Sequence, residues 1–273
     1  MTKLPDFLCI GAQKSGTTWL HNMLKQHPQI FLPKTKELMF FDVKRNFESE
    51  GLDGYSRNFA EAAPGQLIGE ITPGYLWTAT QRNVRSKNEN ALFRRRTPER
   101  VAETLGMGTK LLIILRDPVD RAISAFFHHF RKGRFTEIDY QLLKKDPNGI
   151  VDMGRYVRHI NRWAKHFPKE NFYITTYDEL FTDPSSGLNH VYKFLGLQEH
   201  SKHKRIRSKY NNPSDYELRE DGYWLVSCNG LTDIPTDRPV IPNEVIDFLK
   251  ESYQLDNHRL AKRWKVDVSG WAA

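Results

Sequence analysis

Four side chains that can bind an anion fall within five consecutive residues near the start of the chain. Lys14 supplies a positive charge beside Gly16, and the hydroxyl donors are Ser15, Thr17 and Thr18. A loop of small residues can also turn several backbone N–H groups toward one point, which makes it a natural site for a phosphate or a sulfate. The alternative is that Gly16 only forms a turn and Lys14 is solvated.

The flanking residues place this loop between a strand and a helix. Phe7 to Ile10 form a short apolar run that is typical of a buried strand. The apolar side chains that recur at helical spacing before Pro28 are Leu20, Met23 and Leu24. A helix that starts at the end of the loop directs its positive dipole end toward the same anion.

The loop differs from a Walker A loop, in which the lysine directly follows the second glycine. Here Lys14 precedes Gly16 by two residues, and no carboxylate in register for magnesium follows. The sequence also contains no zinc-spaced group of cysteines and histidines. We therefore expect an anionic nucleotide that is held without a metal ion.

A second cation follows the clearest buried strand, Lys110 to Leu115. Arg116 stands at the carboxyl end of this strand, and Ser124 lies in the second turn of the helix that follows. Ligands of open parallel sheets bind beyond the carboxyl ends of the strands, so we expect Arg116 to lie near the Lys14 loop and to suit a second phosphate. The alternative is an ion pair between Arg116 and Asp120.

Glu37 stands between a lysine-rich turn and the apolar run Leu38 to Phe41. Burial at such an edge can raise the pKa of a carboxyl group, which makes Glu37 a candidate general base. The alternative is a surface ion pair with Lys34 or Lys36, and the spacing alone favours that alternative. The reserve candidates for the base are His21, His128 and His129.

The bulk composition favours one large α/β domain. The chain has 273 residues, of which 39% are hydrophobic, and its net charge of +8 favours acidic ligands. Much of the basic charge lies in residues 81–100 and 202–209. The first stretch is either a basic surface or lid for an acidic substrate, or a solvated loop.

The chain shows no sign of a membrane or secretory location. Its two cysteines, Cys9 and Cys228, make no disulfide framework, and Cys9 is expected to be a reduced, buried thiol. No apolar run approaches the roughly 20 residues of a membrane span, and Met1 leads into the first strand without a signal peptide. We therefore expect a cytoplasmic protein with no membrane span.

Two motifs, one early in the chain and one after the strand Lys110 to Leu115, resemble those of the sulfotransferases that use 3′-phosphoadenosine 5′-phosphosulfate (PAPS). Residues 13–18 are similar to the phosphosulfate-binding loop of that family, and residues 116–124 are similar to its 3′-phosphate motif. Residues 36–42, 51–55 and 72–75 resemble the heparan sulfate 3-O- and N-sulfotransferase branch. The resemblance spans nearly the whole chain.

The resemblance implies a P-loop-related three-layer fold, with a central parallel sheet flanked by helices. It implies a single sulfotransferase domain over residues 1–273, with residues 81–100 as a basic insertion. By resemblance, the 5′-phosphosulfate is held by Lys14, Ser15, Gly16, Thr17 and Thr18. The 3′-phosphate is held by Arg116 and Ser124, and the candidates from a late cofactor loop are Lys204, Arg205, Arg207 and Lys209.

The resemblance also implies a reaction. Glu37 becomes the favoured general base, and Lys14 becomes a catalytic cation that stabilises the leaving phosphate. The acceptor is expected to carry a hydroxyl rather than an amine, on an acidic or carbohydrate partner and not on a nucleic acid. Ile71 stands where heparan sulfate 3-O-enzymes carry a lysine, which favours a different acceptor. The rival functions are a metal-dependent nucleotide or small-molecule kinase and a non-enzymatic polyanion-binding module.

Overall fold

The computed structural model describes residues 2–79, 89–135, 139–146, 148–204, 206 and 241–271, and the backbone of three short strands between 216 and 236. The main strands are β1 (Phe7–Gly11), β2 (Ile30–Phe31), β3 (Leu67–Ile71), β4 (Lys110–Leu115) and β5 (Phe172–Thr176). They form one parallel sheet in the order β2-β3-β1-β4-β5. The carboxyl ends of β3, β1 and β4 are therefore neighbours.

The described helices are α1 (Thr17–Leu24), α2 (Lys44–Arg57), α3 (Glu89–Arg95), α4 (Thr97–Leu105), α5 (Pro118–Arg131), α6 (Gln141–Lys145), α7 (Ile150–Met153), α8 (Tyr156–Trp163), α9 (Tyr177–Thr182), α10 (Pro184–Leu195) and α11 (Asn243–Trp264). A short 3₁₀ helix, Lys169–Asn171, precedes β5. The predicted start of α5 is confirmed, because Asp117 accepts a hydrogen bond from the Val119 N–H at 2.7 Å and Pro118 is the first helical residue.

Alternate residues of β1 and β4 point into two separate hydrophobic layers, as the period of a strand requires. Leu8 and Leu111 pack on one face with aromatic side chains of α2 and α8. Cys9 and Leu112 pack on the other face with side chains of α1 and α10. The result is a helix–sheet–helix sandwich, which confirms the predicted three-layer architecture and explains why these strands read as unbroken apolar runs.

A second, antiparallel sheet lies late in the chain. Its strands are β6 (Tyr216–Arg219), β7 (Gly222–Leu225) and β8 (Ile234–Thr236), with β7 in the centre. Lys209, Arg205 and Arg207, which we proposed from the sequence as contacts of a late cofactor loop, lie outside the described residues. So does Cys228, whereas Cys9 is a free, buried thiol as predicted. Across the described ranges, no helix combines the length and the apolar character needed to cross a bilayer.

Candidate active site

The loop between β1 and α1 is shaped for close approach of its backbone to a ligand. Lys14 and Gly16 adopt left-handed backbone conformations, with φ of 68° and 90°. A side chain at Gly16 would place its Cβ 2.8 Å from a ring carbon of Phe181, so this position requires glycine both for its conformation and for space. The loop also bonds to the neighbouring strand, because the Ala12 N–H donates to the Ile114 carbonyl at 2.7 Å.

The amino end of α1 is open toward the loop. No side chain caps the helix at Gly16, and its first turn carries no acidic residue. The first N–H groups of a helix have no partner within the helix and carry its positive dipole end. The Ser15 hydroxyl beside them is buried and has no partner in hydrogen-bonding geometry, although it lies near the Tyr156 hydroxyl. A buried donor without a partner is rare and indicates a place for a ligand acceptor.

Arg116 lies at the carboxyl end of β4, beside this loop. Its guanidinium pairs with Asp120 at 2.9 Å, which is the alternative that the sequence left open. The pair is partly exposed, so it contributes little to stability and leaves the guanidinium available to a more highly charged phosphate. Ser124 follows Asp120 by one helical turn and therefore lies on the same stripe of α5.

An aromatic wall joins the loop and Arg116, and the sequence analysis missed it. The Tyr177 ring stacks on Phe181 with centroids 4.2 Å apart, and Trp19 meets Phe181 at 4.8 Å. Arg116 lies over the Tyr177 ring at 5.4 Å from its centroid. Tyr177 directly follows β5, and an aromatic residue at the carboxyl end of one more parallel strand was the available signal.

Glu37 lies at the same edge of the sheet. Its backbone N–H donates to the Ile71 carbonyl at 3.1 Å, which fixes it beyond the end of β3, next to β1 in the sheet. Its carboxylate pairs with the Lys36 ammonium, and the two side chains are 44% and 18% exposed. The ion pair that the spacing favoured is therefore present, and Glu37 stands at the surface of the cleft rather than beneath it.

Beneath Glu37 lies a fully buried carboxyl group that the sequence analysis did not select. Glu70 accepts hydrogen bonds from the hydroxyls of Tyr55 at 2.5 Å, Thr72 at 2.6 Å and Tyr75 at 2.7 Å. We call these four residues the Glu70 network. Burial raises the pKa of Glu70 to about 7. The three hydrogen bonds favour the charged form and lower the pKa, but the effect of burial is larger.

The raised pKa of Glu70 has a consequence for stability. A carboxyl that binds its proton more tightly in the folded than in the unfolded chain stabilises the fold at low pH, and this contribution is lost as the pH rises from about 4.5 to about 7. The loss is on the order of 3 kcal/mol. We expect the Glu70→Gln variant to lack this component when urea unfolding is measured from pH 5 to pH 8. The control is Glu61→Gln, which alters an exposed carboxyl and should keep the pH dependence of the wild-type protein. If the free energy of unfolding of Glu70→Gln depends on pH as that of this control does, the expectation is contradicted.

The three reserve histidines are all poor bases in this setting. Burial and then the charge of the nearby Lys36 lower the pKa of His21 to about 4. Burial and then the charge of Lys14 lower the pKa of His128 to about 4, and burial lowers that of His129 to about 3. The charge of Lys14 contributes to the shifts of both His128 and His129, which lie in the last turn of α5. Near neutral pH all three imidazoles are uncharged.

In the described part of the basic stretch 81–100, two arginines make contacts with buried groups of the fold. Residues 80–88 lie outside the described part, and α3 and α4 follow. Arg94 pairs with the buried carboxylate of Asp42 at 2.5 Å and lies over the Trp77 ring. Arg100 is buried and donates to the Phe41 carbonyl at 2.7 Å. These two arginines therefore stabilise the wall of the cleft that carries residues 37–42.

A separate cavity of about 930 Å³ lies along the outer edge of β5. Its lining includes Thr176, Glu179, His190, Lys193 and Trp271. None of its lining side chains belongs to the Lys14 loop or carries a buried polar atom without a partner. We therefore place the site at the carboxyl ends of β1, β3 and β4, where the Ser15 hydroxyl lies.

These features define a class of protein: a P-loop-related α/β protein whose first strand–loop–helix unit is shaped to accept an anion, with an arginine beyond the neighbouring strand. The chain belongs to the sulfotransferase family, since the sequence model of the family described as "Sulfotransferase domain" matches residues 4–221.

Two curated relatives carry sulfotransferase names. Heparan sulfate glucosamine 3-O-sulfotransferase 5 of Mus musculus is 32% identical over 207 residues, covering 71% of this chain and 54% of that protein. Bifunctional heparan sulfate N-deacetylase/N-sulfotransferase 3 of Homo sapiens is 32% identical over 279 residues, covering 95% of this chain and 30% of that protein. The chain thus spans about half, or less, of the length of these relatives. They confirm the predicted resemblance to the heparan sulfate 3-O- and N-sulfotransferase branch.

The fold has a counterpart among solved structures. A sulfotransferase from Alicyclobacillus acidocaldarius matches 99% of this chain and 100% of its own with a TM-score of 0.71 and 22% identity. The likeness confirms the predicted P-loop-related fold class.

Proposed function

We propose that this chain transfers a sulfuryl group from PAPS to an acceptor hydroxyl. The observation that carries the proposal is the uncapped amino end of α1, which carries no acidic residue and adjoins the buried Ser15 hydroxyl and Lys14. That arrangement suits a tetrahedral anion at the loop. Arg116 and Ser124, on the neighbouring element, suit the second phosphate that distinguishes a 3′-phosphorylated nucleotide from ADP or ATP.

In this proposal, different residues bind the two ends of the donor. The loop from Lys14 to Thr18 and the first N–H groups of α1 hold the 5′-phosphosulfate. Arg116 exchanges its exposed ion pair with Asp120 for the 3′-phosphate, and Ser124 donates its hydroxyl proton to the same group. Tyr177 covers the nucleotide between these two anchors.

In the proposed reaction, the acceptor oxygen attacks the sulfur in line with the bridging oxygen of the phosphosulfate. The new O–S bond forms as the old S–O bond breaks, and the bonding electron pair leaves on the phosphate of 3′-phosphoadenosine 5′-phosphate. Glu37 takes the acceptor proton, while Lys14 and the loop N–H groups stabilise the charge that develops on the leaving phosphate. Positioning and electrostatics supply the catalysis, as in phosphoryl transfer.

The proposed acceptor is a carbohydrate hydroxyl. The named relatives act on heparan sulfate, and Lys36 beside Glu37 suits an acidic sugar. An N-sulfotransferase is among the relatives, so an amine acceptor is the rival within the same family. A screen of radiolabelled sulfate transfer from PAPS to desulfated heparan sulfate, its N-acetylated form, a fatty alcohol and a phenol distinguishes these acceptors, because only the amine route is blocked by N-acetylation.

We further propose that residues 1–273 form a single sulfotransferase domain, with residues 81–100 as a basic insertion. Two observations support this extent. The terminal helix α11, which follows the matched region, packs on α5 and α8. Asp256 of α11 also pairs with Arg158 of α8 at 3.0 Å.

The proposed donor predicts selective stabilisation by 3′-phosphoadenosine 5′-phosphate. At 100 times its dissociation constant, a ligand that binds only the folded state adds about 2.7 kcal/mol to the free energy of unfolding. We expect a thermal shift with this nucleotide, a smaller one with ADP or AMP, and none specific to ATP–magnesium. In Arg116→Ala the preference for the 3′-phosphate is expected to disappear.

The control for this variant is Arg259→Ala, which removes an exposed arginine from α11 and should leave the preference intact. Stabilisation by ATP–magnesium in place of the 3′-phosphorylated nucleotide would favour the kinase alternative. Binding of heparin with a steep salt dependence and no response to any nucleotide would favour the polyanion-binding alternative.

A further inference from the structure

The segment that carries the proposed base has a strained backbone. Glu37 and Met39 both have positive φ, at 64° and 51°, although neither is glycine. This left-handed conformation is unfavourable for residues other than glycine. A segment in this conformation persists only where its surroundings hold it, so its anchors determine where the Glu37 carboxylate points.

The anchors of this segment come from the residues at the end of β3. The Met39 N–H donates to the Thr72 hydroxyl at 3.5 Å, and the Phe40 N–H donates to the Tyr75 hydroxyl at 3.0 Å. The Phe41 N–H makes a longer contact with the same Tyr75 hydroxyl, at 3.4 Å. With the bond from the Glu37 N–H to the Ile71 carbonyl, four backbone N–H groups between residues 37 and 41 are fixed to the residues at the end of β3.

Both anchoring hydroxyls are oriented by the same carboxylate oxygen. Thr72 and Tyr75 each donate their single hydroxyl proton to Oε1 of Glu70. A hydroxyl has one proton to donate and two lone pairs to accept with, whereas a carboxylate can only accept. Because both hydroxyls direct their protons toward Glu70, the lone pairs of Thr72 and Tyr75 are left to accept from the N–H groups of residues 39–41.

We propose that Tyr75, whose hydroxyl is oriented by Glu70, is a positioning residue for sulfuryl transfer: it fixes the segment 37–41 and thereby aims the Glu37 carboxylate. This inference rests on the proposed function, because it takes Glu37 as the base. Glu70 itself touches neither donor nor acceptor, since its side chain is fully buried.

Two tyrosines of the network provide a matched pair of variants. Tyr75 and Tyr55 are both fully buried and both donate to Glu70. Of the two, the Tyr75 hydroxyl also accepts hydrogen bonds from the segment, whereas the Tyr55 hydroxyl donates to Glu70. Tyr75→Phe and Tyr55→Phe each keep the aromatic ring and each remove one hydrogen bond to the same carboxylate. A change seen in Tyr75→Phe but not in Tyr55→Phe is therefore due to the lost anchor of the segment, and not to a weaker Glu70 network.

The experiment measures amide hydrogen exchange of residues 36–42 and turnover of PAPS with the best acceptor of the screen. In Tyr75→Phe we expect exchange of the Phe40 and Phe41 amides to rise by about tenfold or more, since they lose their acceptor. We expect kcat to fall by about tenfold to 100-fold, with KM for PAPS unchanged, because a small displacement of a reacting group is costly. Tyr55→Phe should show neither change, although it lowers the melting temperature.

Two results would overturn the inference. One is equal exchange of residues 36–42 in Tyr75→Phe and Tyr55→Phe, which would mean that the network only stabilises the core. The other is faster exchange in Tyr75→Phe with unchanged kcat, which would mean that the orientation of the segment does not matter for turnover. Glu37→Gln, measured in parallel, separates the second result from a failure of the proposed function, because full activity of that variant removes Glu37 as the base.

Discussion

Replacing Lys14 with alanine is expected to lower turnover by about 100-fold or more while the fold persists. In the proposed reaction, the bond from sulfur to the bridging oxygen breaks, and negative charge develops on the phosphate held by the loop. Lys14 provides a full positive charge at this point, next to the dipole end of α1, in a part of the cleft that is half-buried. Electrostatic stabilisation is stronger there than in water. The loss corresponds to about 2.7 kcal/mol of transition-state stabilisation.

The measurement is the rate of PAPS turnover, with the thermal shift by 3′-phosphoadenosine 5′-phosphate as the binding readout. Lys25→Ala is the matched control, since Lys25 is an exposed lysine at the other end of the same helix. Lys25→Ala should retain wild-type turnover. A Lys14→Ala variant with normal turnover would contradict the assignment of the loop. Equal losses of turnover and of nucleotide binding would instead limit Lys14 to a binding role.

The parallel core could be predicted from the sequence because its signals are local. The run from Lys110 to Leu115 is apolar at nearly every position, and the Asp-Pro pair after Arg116 is a strong helix start. Both appear in the structure with the expected boundaries. The pair Asp183-Pro184 and the later Gly196 likewise predict the two ends of a helix, and α10 spans Pro184–Leu195 with Gly196 in the left-handed conformation.

Other features depend on contacts between distant parts of the chain, and they could not be predicted. The helical spacing of Leu52, Tyr55 and Phe59 predicts a helix over residues 51–62, whereas α2 spans Lys44–Arg57 and is kinked at Gly51, where φ is 58°. The Glu70 network joins Tyr55 of α2 to β3 and the turn beyond it. In the sequence, Glu70 is one polar residue in an apolar strand, and nothing local reveals that three hydroxyls converge on it.

Glu37 can form a surface ion pair and still be the proposed general base. The spacing favoured a surface ion pair with a neighbouring lysine, and the structure contains the pair with Lys36. A second pair of the same kind, Lys34 with Glu61 at 2.6 Å, lies wholly at the surface. What distinguishes Glu37 is its position at the end of β3, at the same edge of the sheet as the Lys14 loop, in a segment with left-handed backbone that is hydrogen-bonded to the residues beneath it.

Glu37→Gln is therefore expected to reduce turnover by about 100-fold or more, because it keeps the size of the side chain but removes its ability to accept a proton. Binding of 3′-phosphoadenosine 5′-phosphate should be unchanged, since the proposed donor contacts lie on the loop and on α5. Glu61→Gln is the matched control: it also removes a carboxylate from a Lys–Glu pair, and it should leave turnover intact. Retention of full activity by Glu37→Gln would exclude Glu37 as the base. The lowered pKa values of His21, His128 and His129 would then favour an acceptor that needs little help in losing its proton, such as a phenol or an amine, over an unactivated sugar hydroxyl.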